Sequence, residues 1–305
     1  MSLTGKAKLA GVIGWPVGHS RSPRLHGFWL DQLGIDGAYV PLPVHPGDFE
    51  TVLRALPRMG FAGANVTVPH KEAALALADH VEPLAKRIGA VNTLVVRPDG
   101  SIEGRNTDAF GFIENLRQGH PGFAAARGPA VVLGAGGAAR AVVAALLDAG
   151  CPEIRLFNRT AERAREMAQA LEPAVPLPQL IVAGPISPLS GLLASENPRR
   201  IVVCDWDRRA EALDGAAVLV NTTTLGMAGQ PPLDLNLDFL PLDAVVNDIV
   251  YAPLETDLLA RARARGNAVV DGLGMLLHQA RPGFAAWFGV MPEVTNELRS
   301  FVGGT

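Results

Sequence analysis

A glycine-rich turn that joins an apolar strand to an alanine-rich helix has residue types and spacing suited to binding a dinucleotide. In the segment 131–140, Gly134, Gly136 and Ala139 fit the pattern G-x-G-x-x-G/A. The glycines permit a tight turn, and the amides at the start of the helix can bind a pyrophosphate. A turn that only packs helix against strand is the alternative, but strand, spacing and helix coincide here. The loop residues predicted to bind the cofactor are Gly134, Ala135, Gly136, Gly137 and Ala138.

The end of the next strand decides between NAD and NADP. An acidic residue there would accept a hydrogen bond from the ribose 2'-hydroxyl and would repel a 2'-phosphate. This chain instead has Asn158, Arg159 and Thr160, with Arg163 one turn later. Because guanidinium groups match the geometry of a phosphate, NADP is the predicted cofactor. The alternative is that both arginines are ordinary solvated residues and that Thr160 caps a helix, a role compatible with phosphate binding.

A second polar set, earlier in the chain, could hold a small substrate beside an ionisable pair. It is centred on the segments 65–71 (NVTVPHK) and 106–108 (NTD). Lys71 lies near a predicted helix start, where the helix dipole disfavours a positive charge, and Asp108 would offset that effect. Taken separately, most lysines are solvated and Asp108 could cap the helix that follows it. Spacing alone does not bring the two side chains together.

The elements that must position these residues form two successive α/β units, as expected for two domains in a chain of 305 residues. In the first unit, strands are predicted at 10–14, 38–42 and 63–67, helices at 23–33, 46–59, 71–80 and 82–88, and a hairpin around the turn 98–100. A helix at 108–117 leaves this unit. The fold class is therefore α/β, with an N-terminal substrate domain built on a mostly parallel sheet, at 1–110.

The second unit has the alternation of a Rossmann-like, doubly wound nucleotide-binding domain, expected at 111–271. A strand ends at 133 and a helix at 149. Further strands are predicted at 154–157, 201–204, 218–221, 245–249 and 268–270, and a helix at 161–171. The segment 172–200, rich in proline, serine and glycine, gives no readable pattern.

Composition excludes several classes of protein. The chain is 48% hydrophobic and 19% charged, with a net charge of -3, so no general attraction to nucleic acid or to an anionic membrane is expected. Its apolar stretch at 9–15 is interrupted by glycine and too short to span a bilayer. Cys151 and Cys204 have no CxxC spacing, which predicts neither a disulfide framework nor a metal site. A reducing cytoplasm is the expected location.

Successive motifs along nearly the whole chain resemble those of shikimate dehydrogenases. In the first half these are 14–23 (GWPVGHSRSP), 65–71, 89–93 (GAVNT) and 106–108. The second half continues in the same order with 134–140, 158–160, 221–227 (NTTTLGM), 248–253 (DIVYAP) and 272–279 (GLGMLLHQ). Two departures are Thr224, where a serine is more usual, and a longer, more proline-rich segment at 172–200.

The resemblance implies NADPH-dependent, reversible reduction of 3-dehydroshikimate to shikimate, in aromatic amino acid biosynthesis, with Lys71 and Asp108 as the catalytic pair. An ammonium can stabilise and protonate the oxygen on which negative charge develops. Ser20 and Ser22 would bind the substrate carboxylate, with Tyr251 lining that end. Residues implied to bind ring hydroxyls or to support that set are Asn65, Thr67, Asn92, Asp108 and Gln279.

On the cofactor side, the resemblance implies roles for Thr222, Thr223, Ile249, Gly272 and Met275. The last two would lie near the nicotinamide, although Met275 as plain core fits nearly as well. His19 and His70 are given no catalytic role and are expected to pack or cap locally. The helices at 272–305 would return to the substrate domain, and the protein would be a monomer or a homodimer.

Three alternatives stay open. A quinate/shikimate dehydrogenase using NAD is disfavoured by Arg159 and by the serines at 20 and 22, where quinate-using relatives often carry a threonine. An aminoshikimate-type relative is not excluded by the motifs. A metabolite sensor without catalysis could lose Lys71 or Asp108, whereas both are present, so an enzyme is favoured.

Overall fold

The structure consists of two α/β units, one in each half of the chain. The computed structural model describes residues 3–172 and 200–304, so the unreadable segment 172–200 lies almost wholly outside them. Within these ranges the strands form two sheets of six. No helix of the described residues is long and apolar enough to cross a membrane.

The first half contains β1 (Lys8–Gly14), α1 (Ser22–Gln32), β2 (Gly37–Pro43), α2 (Phe49–Ala55), β3 (Phe61–Val66), α3 (Lys71–Leu77), β4 (His80–Val81), α4 (Pro83–Ile88), β5 (Thr93–Val96) and β6 (Ile102–Arg105). The first sheet has the order β2-β1-β3-β5-β6-β4. Strand β1 is parallel to β2 and β3, and β4 is parallel to β6. Strand β5 is antiparallel to β3 and β6, which confirms the predicted hairpin.

Two predicted helices of this half are shorter than expected. The helix predicted at 71–80 ends at Leu77, because Asp79 exchanges hydrogen bonds with Ile102 and draws the chain into pairing with β6. His80 therefore lies in a strand. The helix predicted at 46–59 is a short 3-10 turn followed by α2, and it ends before Pro57, which has no amide hydrogen to continue it.

The second half contains α5 (Asp108–Gly119), β7 (Ala130–Leu133), α6 (Gly137–Asp148), β8 (Ile154–Phe157), α7 (Ala161–Leu171), β9 (Ile201–Cys204), β10 (Val218–Asn221), β11 (Val245–Asp248), α8 (Asp257–Arg265), β12 (Ala268–Val270), α9 (Leu273–Phe288) and α10 (Asn296–Gly303). The second sheet, in the order β12-β11-β10-β7-β8-β9, is parallel throughout. This confirms the predicted doubly wound fold, with one strand ending at Asp248 instead of 249.

Both faces of the second sheet are buried, as parallel sheets require. Along β7, Ala130 and Val132 pack into one apolar cluster with α6, and the alternate residues Val131 and Leu133 pack into another on the opposite face. Because all six strands are parallel, their carboxyl ends lie at one edge of the sheet. The glycine loop begins at this edge.

Helices α5 and α9 pack directly against each other where the chain passes between the two sheets. The contact is close: a Cβ on Gly111 of α5 would lie 2.6 Å from the Cβ of Gln279 on α9. Helix α9 also packs against β1, β3 and β5, and its Trp287 indole donates to the Leu94 carbonyl at 2.9 Å. Helix α10 contacts α1. Helix α9 thus lies against the first sheet, and α10 lies against α1 and α9.

Candidate active site

A cleft of about 220 Å³ opens at the carboxyl ends of β1 and β3, facing the loop that follows β11. The residues predicted to be catalytic or to bind substrate all line it: Ser20, Ser22, Asn65, Thr67, Lys71, Asn92, Asp108, Tyr251 and Gln279. From the predicted cofactor set it adds Ile249, Gly272 and Met275. The structure therefore brings together side chains from both halves of the chain.

Lys71 and Asp108 form an ion pair in this cleft. Each is the first residue of a helix, α3 or α5, and Lys71 Nζ lies 2.8 Å from Asp108 Oδ2. The second carboxylate oxygen, Oδ1, accepts from Asn92 Nδ2 at 2.8 Å. Asp108 thus binds Lys71 and Asn92 with its side chain, and the interpretation of this carboxylate as a helix cap is wrong. The ammonium keeps further N–H donors that can face a bound molecule.

Main-chain groups fix the orientation of the Asn92 amide. Its Oδ1 accepts from the Thr107 backbone N–H at 2.9 Å and from the Thr93 hydroxyl at 3.0 Å. Because a backbone N–H can only donate, the oxygen of Asn92 must face Thr107, and its NH2 group must face Asp108. Asn92 is 3% exposed, so this arrangement is held inside the protein.

The other end of the cleft is formed by the start of α1. Ser20 and Ser22 flank Arg21, whose guanidinium lies 5.3 Å from the centre of the Tyr251 ring. Arg21 also lines the cleft, and the sequence analysis did not predict it. Its position between the two predicted serines could have indicated that it belongs to the site. His19 was expected to pack or cap locally, and this is wrong because it is exposed and lines the cleft.

His70 does pack locally, as predicted. Its Nε2 lies 2.8 Å from the Val44 carbonyl oxygen, and its ring stacks on Phe49 at 4.6 Å. It is 1% exposed and does not reach the cleft.

The glycine loop after β7 has close packing beneath it and open space in front of it. Gly134 has a φ of +110°, and a Cβ there would lie 2.5 Å from Thr222 Oγ1. A Cβ on Gly136 or Gly137 would meet nothing within 4 Å. No side chain caps α6, so the amides at its start are available to a ligand. With Ala135 and Ala138 half-buried beside it, the loop fits a pyrophosphate.

Arg159 and Arg163 follow β8 and are exposed. Within 3–172 and 200–304, their side chains have no hydrogen-bond or ion-pair partner. Asn158 Nδ2 donates to the Thr160 carbonyl at 2.8 Å. Thr160 occupies the N-cap position of α7, but its hydroxyl makes no capping bond, so that predicted role is wrong. A basic donor set without a carboxylate at the strand end fits the extra phosphate of NADP.

The threonines after β10 hold the edge of the second sheet. Thr222 Oγ1 donates to the Leu133 carbonyl at 2.6 Å, and Thr223 Oγ1 donates to Asn221 Oδ1 at 2.7 Å. Thr222 therefore lies beside Gly134 of the glycine loop, and Thr223 is held against the end of β10.

A buried carboxylate, Asp248, holds the loop that carries Ile249 and Tyr251. It accepts from Val250 N at 3.0 Å, from Thr256 Oγ1 at 2.8 Å and from Asn221 Nδ2 at 3.0 Å. Burial raises the pKa of Asp248, and these hydrogen bonds oppose the rise. The described residues contain no group of three His, Cys, Asp or Glu side chains placed to hold a metal ion.

A doubly wound parallel sheet with an open glycine loop, beside a cleft that contains a lysine–aspartate pair, defines a two-domain dehydrogenase that uses a dinucleotide. Comparisons with known proteins agree. Residues 12–94 match the family described as "Shikimate dehydrogenase substrate binding domain", and residues 122–182 match "Shikimate / quinate 5-dehydrogenase". The chain belongs to the shikimate dehydrogenase family.

Individual relatives cover almost the full chain. A curated shikimate dehydrogenase (NADP(+)) of Paramagnetospirillum magneticum is 65% identical, covering 98% of this chain and 99% of the relative. The structure of shikimate 5-dehydrogenase from Thermus thermophilus with NADP(H) and shikimate is 35% identical, with a TM-score of 0.77 and 97% coverage of both chains. Quinate dehydrogenase from Corynebacterium glutamicum in complex with NAD is 30% identical, with a TM-score of 0.84, covering 98% of this chain and 99% of the other.

Proposed function

We propose that this protein catalyses the NADP-dependent, reversible reduction of 3-dehydroshikimate to shikimate. The observation that carries the proposal is the Lys71–Asp108 ion pair at 2.8 Å, placed in one cleft with hydroxyl and amide donors from both halves of the chain. Relatives named shikimate dehydrogenase (NADP(+)), up to 65% identical, support the same substrate and cofactor.

Lys71 would be the proton donor in the direction of reduction. NADPH held by the loop 134–138 would supply a hydride to the ketone carbon of the substrate. The ketone oxygen would then gain negative charge. The Lys71 ammonium stabilises that charge and protonates the oxygen. Asp108, which Asn92 holds from the far side, keeps the ammonium in place and accepts from a neighbouring substrate hydroxyl. In the oxidation of shikimate, Lys71 takes the proton back.

The remaining lining residues would bind the two ends of the substrate. Ser20, Ser22 and Tyr251 present hydroxyls at the end where Arg21 adds positive charge, which suits a carboxylate. The residues proposed to bind ring hydroxyls, or to support those that do, are Thr67, Asn92, Gln279 and Asn65. A site built from such donors discriminates strongly against analogues that lack a matching hydroxyl, because its own polar groups would stay unpaired.

The proposed cofactor site combines the loop 134–138 with Asn158, Arg159, Thr160 and Arg163. Two exposed guanidinium groups without a partner among the described residues are suited to the 2'-phosphate. Thr222 borders the loop, Thr223 follows it, and Ile249, Gly272 and Met275 line the cleft, where they would lie near the nicotinamide.

The domain division that we propose is 1–110 for substrate, 111–271 for NADP and 272–305 for the returning helices. The packing of α9 on β1, β3 and β5 supports the last of these. Cys151 and Cys204 are both free, which supports a reducing cytoplasm. A monomer or a homodimer fits the proposal equally.

The proposal is tested by following the reduced-nicotinamide absorbance while the protein oxidises shikimate or quinate, each with NADP and with NAD. Rapid turnover confined to shikimate with NADP is expected. Turnover with quinate and NAD would instead place the protein with the Corynebacterium glutamicum neighbour. Absence of turnover in all four combinations would contradict a dehydrogenase and favour a metabolite sensor.

Lys71→Met tests the proton donor. The variant keeps the length of the side chain and removes its charge, so kcat should fall by about 10²–10⁴-fold, the usual contribution of a positioned acid or base. Shikimate binding, measured by calorimetry, should remain detectable. Lys86→Met, at an exposed lysine on α4 outside the cleft, is the matched control and should keep wild-type kcat. A Lys71→Met enzyme with wild-type turnover would remove Lys71 from the mechanism.

A further inference from the structure

Tyr39 lies beneath the cleft, on β2, and does not line it. Its side chain is 7% exposed, and its hydroxyl donates to Asn65 Oδ1 at 2.6 Å. The ring stacks on the His26 imidazole at 3.9 Å with an interplanar angle of 4°. The phenol is therefore held in one position by packing, and its short hydrogen bond points toward the active site.

The direction of the hydrogen bonds that lead from Tyr39 is fixed. Asn65 Nδ2 donates to the Asn92 carbonyl at 3.2 Å and to Thr93 Oγ1 at 3.1 Å. Since a carbonyl can only accept, the NH2 group of Asn65 must face Asn92, and its oxygen must face the phenol. Tyr39 is then the donor to Asn65, and no rotation of the amide satisfies the same partners.

The same direction continues to the ion pair. Because Thr93 accepts from Asn65, its hydroxyl proton is free to donate to Asn92 Oδ1, at 3.0 Å. Asn92 Nδ2 in turn donates to Asp108, which binds Lys71. Thr93 is fully buried and Asn65 is 6% exposed, so water does not compete for these bonds. Tyr39, Asn65, Thr93, Asn92 and Asp108 thus form one directed chain, named here the Tyr39 relay.

The phenol also contacts the opposite end of the cleft. Burial raises the pKa of Tyr39 well above its ordinary value, and a hydrogen bond with Ser22 opposes that rise. The hydroxyl is therefore protonated at neutral pH. Ser22 is 8% exposed and belongs to the end proposed to bind the carboxylate. One buried group thus touches supports of both ends of the proposed substrate.

We propose that Tyr39 is a positioning residue, which orients Asn65 and, through Thr93 and Asn92, sets the carboxylate of Asp108 toward Lys71. This inference rests on the proposed function of that pair. Tyr39 touches neither substrate nor cofactor. Its contribution is the orientation of groups that do, and misplacement of reacting groups by even a fraction of an ångström slows a reaction.

Tyr39→Phe removes the hydroxyl and keeps the stacked ring. We expect kcat for shikimate oxidation to fall roughly tenfold, with a smaller change in KM, because the affected groups act on the reacting end. Trp29→Phe is the matched control. It removes a buried indole donor, which bonds the Glu293 carbonyl at 3.0 Å in the same apolar cluster, but it keeps an aromatic ring against His26 and breaks no hydrogen bond of the relay. It should keep wild-type kcat while lowering the melting temperature.

A double-mutant cycle separates positioning from general destabilisation. Thr93→Val breaks the relay one step further on, so Tyr39→Phe and Thr93→Val together should lower kcat little more than one of them alone. Multiplicative effects of the two changes, or a Tyr39→Phe enzyme with wild-type kcat, would overturn the inference. Turnover by the wild type tests the proposed function separately.

A crystal structure of Tyr39→Phe tests the inference without reference to turnover. Longer contacts of Asn65 with Thr93 and of Asn92 with Asp108 are expected, without rotation of either amide, because main-chain groups fix which way each amide faces. Unchanged distances at these two contacts would refute the positioning role even if the protein has another activity.

Discussion

Replacement of His26 by leucine should change how the stability of the protein responds to acid. The imidazole has no exposed surface, and neither of its nitrogens has a hydrogen-bond partner. Burial lowers the pKa of His26 to about 3, with a smaller opposing effect of the Asn65 side chain. As the pH falls below 6.5, the unfolded chain binds a proton that the folded protein does not bind. Acid therefore favours unfolding.

The size of the effect follows from one proton. A difference of one bound proton changes the free energy of unfolding by about 1.4 kcal/mol per pH unit. Between pH 7 and pH 5, His26 should thus cost the wild type about 2 kcal/mol, and the whole window down to pH 3 about 4 kcal/mol. His26→Leu removes this cost, so its stability relative to wild type should rise by about 2 kcal/mol between pH 7 and pH 5.

Urea unfolding followed by tryptophan fluorescence measures this difference. In a Trp206→Phe background, the fluorescence comes from Trp15, Trp29 and Trp287, of which the last two share an apolar cluster that surrounds His26. The control is Leu259→Ala in the same Trp206→Phe background, which lies in another apolar cluster, removes no histidine and should shift stability equally at both pH values. If the free energy of unfolding falls by the same amount for His26→Leu and wild type between pH 7 and pH 5, the pKa of the folded imidazole is not lowered and the reasoning is refuted.

Two further predictions concern the second sheet. Arg159→Gln should lower kcat/KM for NADP by about tenfold or more and leave that for NAD unchanged, because a charge-assisted hydrogen bond to phosphate contributes about 1.5–3 kcal/mol. Steady-state kinetics with both cofactors measures it, with Arg165→Gln, on the helix that follows Arg159, as the control; equal losses for both cofactors would contradict it. The raised pKa means that the folded wild type holds the Asp248 proton more tightly than the unfolded chain does, so the wild type loses stability as the pH rises out of the acid range. Asp248→Asn has no such proton, and its free energy of unfolding relative to wild type should therefore rise over the same range. Urea unfolding at several pH values measures this, and a constant difference would contradict it.

Local patterns predicted the second half of the chain well. The strand, glycine loop and helix around Gly134 depend on apolar periodicity and on backbone freedom within about ten residues, and both are visible in the sequence. The helix predicted through His80 failed for the opposite reason. Its end is set by pairing between Asp79 and Ile102, which are distant in sequence.

The candidate site shows the same division. Lys71 and Asp108 are 37 positions apart, and only the resemblance to a family joined them before the structure did so at 2.8 Å. Tyr39 was missed altogether, because its importance lies in a partner 26 positions away and no local pattern marks it. The failed cap at Thr160 adds that even a suitable residue at the right position need not make the bond.

The close packing of α5 against α9 has a consequence for motion. Asp108 begins α5, Gln279 lies on α9, and the two helices touch at Gly111 without room for a side chain. Ala109, Phe112 and Leu116 of α5 also pack into the apolar cluster of β7 and α6. A rotation of the second sheet would therefore displace α5, and with it Asp108. Alignment of the Lys71–Asp108 ion pair is thus mechanically coupled to the sheet that carries the glycine loop.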